Sequence, residues 1–431
     1  MNPSHIRSLG TASMLLAVLS VLLVAVTAVD VWLCRRQIRC VSSHRDAVPA
    51  GYADRVTLED HAKAADYTVA TMRTKIAASL VDLPIMLGWL TFGIGAMQRT
   101  VDEWVPLPIL SGSVLMVAIM AISAVLELPV SAYRTFVVEA KFGFNKMTPR
   151  LFVLDWLKSE ALSLGMALVL ATALLWVMAN VAGPWWLEAW GGFMLFVAAM
   201  MVAYPLLIAP LFNNFTLLTD SDVKVRVEAL LAKAGFVASG LFVMDGSKRS
   251  THGNAYFTGF GKAKRIVFYD TLLERLTVPE IEAVLAHELG HFKHRDILVS
   301  FARLALLSLA VFWWLGVAAK APWLSAALGL PQSDAVGLIV AMICLSPLGV
   351  LVAPLGNWLS TRAESRADQF AATMTGGGNA LSSALLKLSR DNASTLTPDP
   401  MYVLFRYAHP PVPTRIERLR YAPGFRDKRA S

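Results

Sequence analysis

Charge is the scarcest ingredient of this chain. Only 16% of its 431 residues are Asp, Glu, Lys or Arg, against 56% hydrophobic. An ordinary soluble domain carries about 25% charged residues. Cysteine is nearly missing too: Cys34, Cys40 and Cys344 are the only three. They are too scattered for a disulfide framework or a thiolate metal site. No internal repeat or low-complexity segment interrupts the sequence. The net charge of +8 is spread over polar loops, where it suits anionic lipid headgroups rather than a nucleic-acid partner.

Long apolar runs account for the missing charge. Seven stretches, near 11–33, 76–97, 107–127, 158–180, 189–212, 298–317 and 335–355, read as membrane helices. Six of them are clearly long enough to cross roughly 30 Å of hydrocarbon. The first is read as a retained anchor, not a cleaved leader. A single Arg precedes it and the basic cluster Arg35, Arg36, Arg39 follows it, the reverse of a signal peptide.

Lysine and arginine fall on alternate loops. Segments 34–75, 128–158, 213–297 and 356–431 hold 35 of them, and the intervening loops hold Arg7, Arg99 and Lys320. By the positive-inside rule the N-terminus lies outside and the C-terminus in the cytoplasm. The compact loops set the further expectation of a bacterial inner membrane. Asp82 and Arg303 fall within spans, where ionisable groups face a cavity or a partner. A water-filled chamber and an interhelical pair are both open to them.

The expected organisation has four parts. Residues 1–212 form a membrane region of five spans with cytoplasmic loops. Residues 213–297 form a cytoplasmic α/β segment, 298–355 spans six and seven, and 356–431 a C-terminal segment. Within 213–297, residues 223–236 read as an amphipathic helix, and 241–246, 254–260 and 265–270 as short strands. Strands cannot sit unpaired in lipid. Thr277, Pro279 and Glu280 then mark a helix start with a capping box and an early proline, and this helix is expected to lead directly into span six. The fold class is thus mainly α, a seven-span membrane protein with a small α/β domain on its cytoplasmic side.

That capped helix carries His287-Glu288-Leu289-Gly290-His291, the pattern H-E-x-x-H. Histidines four residues apart share one helix face and can bind one Zn²⁺. Glu288 stands beside them as a base for a zinc-bound water. A catalytic zinc needs a third protein ligand. The best downstream candidate is Glu364, with Asp368 one turn later placed to hydrogen-bond a ligand histidine. A solvated, salt-bridged helix surface formed by Arg362, Glu364, Arg366 and Asp368 is the competing reading, and spacing does not separate the two. His294 is set aside as a ligand, and His252 is read as structural.

At these residues the sequence resembles the type I CAAX prenyl endopeptidases. The likeness runs through YRTFVVEAKFGFNKMT (133–148), IAPLFNNFTLL (208–218), SKRSTHGNAYFTGFG (247–261), VLAHELGHFKH (284–294), RAESRADQFA (362–371) and HPPVPTRIERL (409–419). It implies seven spans around an intramembrane chamber, with one zinc per chain at the cytoplasmic end held by His287, His291 and Glu364. It further implies Glu288 as general base and an edge strand at Asn254 and Ala255 that pairs with an extended peptide along Asn254–Gly259. His409 would donate to the oxyanion, and Arg415 would bind the substrate's backbone or terminal carboxylate. The expected partners are a peptide or protein, prenylated or not, and the lipid bilayer. Two alternatives stand beside this. One is a quality-control protease of membrane proteins with no prenyl requirement. The other is a seven-span transporter or receptor with a closed structural zinc, against which the absence of paired half-spans counts.

Overall fold

The computed structural model describes residues 3–219, 221–236, 240–258 and 265–421. Five long helices come first. α1 (Pro3–Ser43) precedes α2 (Leu58–Gly88), which runs on through a π-helical turn (Trp89–Gly93) to Trp104. α3 (Pro108–Tyr133) ends in a second π-helical turn (Arg134–Glu139). α4 (Pro149–Asn180) and α5 (Trp185–Ala203) complete the set, and α5 passes through a third such turn (Tyr204–Ile208). Each offers an apolar window long enough to span, as does α8 (Asp296–Ala318), giving six continuous spans among the described residues.

The seventh expected span is broken. α9 (Asp334–Leu345) and α10 (Leu348–Met374) pass the length and hydropathy test only as a pair bent by 56°. The break falls at Ser346-Pro347, and the missing N–H and ring of a proline explain why the helix cannot run straight through it.

The spans are thinly packed. In α5 and α8 only 6% of the apolar window is buried inside the protein, so these helices do not gather round a central core along their length. They converge at one end, where Leu90, Ile94, Leu115, Met178, Leu315 and Val336 form a buried cluster. Asp82 on α2 makes no ion pair with Arg303. It lies within electrostatic reach of Glu127 on α3, which is also near Glu160 on α4.

At the opposite end lies the α/β segment. Strands β1 (Phe215–Leu217), β2 (Gly240–Met244), β3 (Ala255–Thr258) and β4 (Arg265–Tyr269) form a sheet in the order β1-β2-β4-β3. β2 and β4 run parallel; the outer pairs are antiparallel. Helix α6 (Ser221–Lys233) follows β1, and α7 (Val278–Lys293) follows β4. Ile266 and Phe268 of β4 are buried against Ile281, Leu285 and Leu289 of α7. Alternation along the strand puts one face of the sheet on the helix. Past α10 come α11 (Asn379–Asp391), α12 (Pro400–Arg406) and α13 (Val412–Arg420).

The closest helix pairing in this segment is α7 on α10. A Cβ added at Gly290 would lie 2.8 Å from Ala367 Cα and 3.1 Å from its carbonyl oxygen. Those obstacles are backbone and cannot swing aside. Gly290→Ala is expected to destabilise the protein by about 1–3 kcal/mol, the usual range for overpacking. Thermal unfolding in detergent micelles tests this; an unchanged midpoint would show that the two helices can separate freely.

Candidate metal centre

The capping box expected at the start of α7 is present. Glu280 accepts the Thr277 backbone N–H at 2.8 Å, and its carboxylate is further held by Ser383 and Lys387, both at 2.7 Å. With its start pinned, α7 carries His287 and His291 on one face; their rings stand 4.9 Å apart and nearly perpendicular. Glu364 arrives from α10. Its Oε2 lies 3.4 Å from His287 Nε2 and its Oε1 lies 3.4 Å from His291 Nε2. Among the described residues these three side chains form the one group able to hold a metal ion.

Two observations test the fit. Tetrahedral ligands at about 2.0–2.2 Å from Zn²⁺ stand roughly 3.3–3.5 Å from one another; each histidine lies 3.4 Å from one Glu364 oxygen, and one ligand atom from each of the three residues lies within 4.8 Å of the others. Glu364 is 2% exposed, yet its buried Oε2 makes no hydrogen bond among the described residues. An orphaned buried carboxylate oxygen is costly, and a cation between the imidazoles and this atom removes the cost. The solvated-surface reading of this stretch of α10 does not hold, since Glu364 and Asp368 are both buried.

Each ligand imidazole has a carboxylate on its other nitrogen. His287 Nδ1 lies 2.9 Å from Asp368 Oδ1. Arg415 of α13 donates to Asp368 through Nε at 3.0 Å and Nη2 at 2.6 Å. The guanidinium is 8% exposed and stands 3.6 Å from Glu364 Oε2, so in this state it is committed to the ligand set. His291 Nδ1 lies 2.9 Å from Asp296 Oδ2, and Arg366 donates to Asp296 Oδ1 at 2.7 Å.

Asp296 and Arg366 were not singled out from sequence. The reason is the joint between α7 and α8. The expected direct passage into the span is interrupted by Arg295, a non-glycine residue at φ 56°. That left-handed residue turns the chain and starts α8 at Asp296, aiming its carboxylate back at the histidine. Such a conformation is disfavoured for an L-residue with a long side chain and leaves no mark in hydrophobic periodicity.

His409 lies in the loop between α12 and α13. Its Nδ1 is 2.8 Å from Glu364 Oε1, and 70% of its side chain is exposed. Asn254 and Ala255 sit at the start of β3, an edge strand whose one neighbour among the described residues is β4. Asn254 itself precedes the strand; its carbonyl accepts from Tyr269 N at 2.9 Å and its side chain from Ala255 N at 2.9 Å. Gly259, the expected far end of the pairing strand, lies outside the described residues. A cavity of about 510 Å³ joins the parts: Glu288 and His291 line it together with Tyr256 and Phe257 of β3 and Phe301 and Leu304 of α8. His294 ends α7 outside the metal group. His252 binds Asn392 at 2.9 Å and faces Glu139, a structural arrangement.

A strand-bordered cavity lined by an H-E-x-x-H helix, with a buried glutamate meeting both histidines and membrane helices rooting the whole, defines a membrane-embedded metalloendopeptidase. Comparison with known proteins places it further. Residues 37–214 match the family described as CAAX prenyl protease N-terminal, five membrane helices, and residues 217–422 match peptidase family M48. The chain is 38% identical to a CAAX prenyl protease 1 homolog of Arabidopsis thaliana over 71% of its own length and 72% of the relative's. It is also 38% identical to a homolog of Oryza sativa over 70% of its length and 72% of the relative's. The crystal structure of S. mikatae Ste24p superimposes with a TM-score of 0.88 at 27% identity, covering 94% of this chain and 99% of that one. The chain belongs to the CAAX prenyl protease 1 family of M48 peptidases.

Electrostatics sets a condition on metal loading. Burial pushes both histidines down, but the neighbouring carboxylates outweigh it. The Glu364 and Asp296 carboxylates raise His291 to about 9, and those of Asp368 and Glu364 raise His287. Burial raises Glu288, opposed by the two histidine charges. Without metal, His291 is therefore protonated at neutral pH, and a metal ion must displace that proton. Apparent affinity is expected to rise with pH up to about 9, by about tenfold per pH unit for each proton released. Calorimetric zinc titrations in buffers of different ionisation enthalpy measure the release; no net proton release at pH 7 would contradict it.

Proposed function

We propose that this protein is a zinc endopeptidase that cuts near the C-terminus of CAAX-type substrates at the cytoplasmic face of the membrane. The observation that carries the proposal is the convergence of His287, His291 and Glu364 on one point, with Glu288 beside them in a cavity bordered by an edge strand. One zinc per chain, held by these three residues, would supply Lewis-acid polarisation of the scissile carbonyl and a lowered pKa for attacking water.

The chain's own groups do the rest. An extended peptide adds to the free edge of β3 at Asn254 and Ala255, so main-chain hydrogen bonds give affinity without demanding a sequence. Glu288 takes the proton from the attacking water and hands it to the departing amine. Burial that raises its pKa brings it nearer to neutrality, where a group both accepts and returns a proton efficiently. His409, exposed on its far side, donates to the developing oxyanion. Asp368 holds His287 in the tautomer that leaves Nε2 for the metal. Arg415 steadies Asp368 and lies near enough to the site to meet the substrate's backbone or carboxylate. The lysine and arginine asymmetry supports a cytoplasmic site with the N-terminus outside, and the compact loops support a bacterial inner membrane.

Glu288→Gln is expected to keep zinc and lose cleavage by at least about 100-fold, the scale of general-base catalysis. His409→Ala is expected to lower kcat with little change in KM. Cleavage by Glu288→Gln at the normal rate sinks the mechanism.

The substrate class is tested by offering the purified protein a farnesylated CAAX peptide, its unprenylated twin and a denatured membrane protein, each with and without chelator. Chelator-sensitive cleavage that favours the farnesylated peptide is expected. Equal cleavage of the two peptides would show that the lipid is not recognised, and preference for the denatured protein would favour quality control.

A further inference from the structure

The metal centre has a brace that neither H-E-x-x-H nor the glutamate helix contains. Asp296 lies five residues past His291 and outside α7, at the first position of the membrane helix α8. Its two oxygens are divided between two elements. Oδ2 takes His291 Nδ1 at 2.9 Å, and Oδ1 takes Arg366 Nη2 at 2.7 Å. The carboxylate is 12% exposed, whereas Arg366 is 47% exposed, so the arginine reaches in from the surface. Arg366 stands two residues beyond Glu364 on α10.

This arrangement repeats the one on the other ligand. His287 rests on Asp368, which is gripped by Arg415; His291 rests on Asp296, which is gripped by Arg366. In each case histidine, carboxylate and guanidinium come from different elements or from opposite sides of a joint. Each carboxylate can fix its imidazole only because an arginine fixes the carboxylate.

We propose that Asp296 is the positioning residue for His291: it holds the Nδ1–H tautomer and the ring angle that present Nε2 to the metal, with Arg366 as its anchor. The strained joint at Arg295, φ 56°, is what delivers the carboxylate. A left-handed arginine is a local cost that surrounding structure must maintain, and here it turns the chain so that a membrane helix begins on a residue of the metal centre. Asp296 also borders the cavity, but both of its carboxylate oxygens are taken by His291 and Arg366, so it acts through the histidine. The inference rests on the zinc reading given above.

The experiment measures zinc affinity by chelator competition on full-length protein in detergent, for wild type, Asp296→Asn and Arg366→Gln. The visible spectrum of the cobalt-substituted proteins and the melting of the metal-free proteins are recorded alongside. Asp296→Asn is expected to bind zinc roughly ten- to a hundredfold more weakly, the usual consequence of losing a partner of a ligand histidine. Its cobalt spectrum should shift, its kcat should fall with KM nearly unchanged, and its metal-free melting should stay the same. Arg366→Gln should move in the same direction by less.

Wild-type zinc affinity and an unshifted cobalt spectrum in Asp296→Asn overturn the proposal. So does a loss of metal-free stability that accounts for the whole effect. Should Asp296→Asn fail to fold, Arg366→Gln decides the matter, and unchanged affinity there overturns it. Failure of wild type itself to bind zinc would remove the metal reading and is distinguished by that measurement alone.

Discussion

Gly290 against Ala367 is the contact on which the metal centre depends. In sequence the glycine falls between the two histidines of α7, and Ala367 between Glu364 and Asp368 of α10. Because neither residue projects far, the two backbones come close enough for one carboxylate to meet both imidazoles at 3.4 Å. A methyl group more at this point moves the ligand, not merely the packing. The burial of Ala367, Ala371 and Ala372, each 0% exposed, shows that the approach continues along the helix. Small residues here serve the geometry of a site one turn away.

That closeness concentrates charge. Glu288, Glu364, Asp368 and Asp296 surround the histidines with only Arg415 and Arg366 as fixed cations. Taken as ionised, the four carboxylates exceed the two guanidinium groups by two charges. In a buried setting such an excess must be neutralised. The carboxylates raise both histidines, so a proton on His291 offsets part of the excess in the metal-free state; a divalent ion would offset it in the loaded state. Proton and metal occupancy are alternative solutions of one electrostatic problem. The orphaned Glu364 Oε2 is where the first solution is incomplete.

How much of this was legible in the sequence follows from the range of the interaction concerned. His287, Glu288 and His291 are fixed by helical spacing, and the Thr277–Glu280 capping box by local hydrogen bonding, so both could be read directly. Glu364 could be nominated but not chosen, because its burial depends on α10 meeting α7. Six spans and the positions of three short strands followed from hydropathy and period, whereas the sheet order β1-β2-β4-β3 depends on long-range pairing. The 56° bend of the seventh turns on a proline that a hydropathy average passes over. Strand β1, three residues long, is too short to show alternation. Asp296 was invisible for a sharper reason: it needs Arg295 in a left-handed conformation that no propensity favours. Arg366 then looked like ordinary surface charge.

The same joint explains why the catalytic part cannot be considered apart from the membrane part. α8 starts on Asp296 and runs into the apolar body, so the rotation of that span about its axis is tied to the ring of His291. A second tie reaches the loop that carries His409. Arg36 of α1 pairs with Asp399 through two bonds at 3.0 and 3.1 Å, Gln37 accepts the Asp399 N–H at 2.7 Å, and Asp399 caps α12 just before that loop. Membrane helices thus hold groups on both sides of the cavity. A soluble peptidase positions such groups through a continuous core. Here the spans are mostly unburied, and long helices anchored at their far end by the Leu90–Val336 cluster supply the rigidity instead. Any change in how those helices stand relative to one another is transmitted to His291 through Asp296 and to the loop of His409 through Asp399.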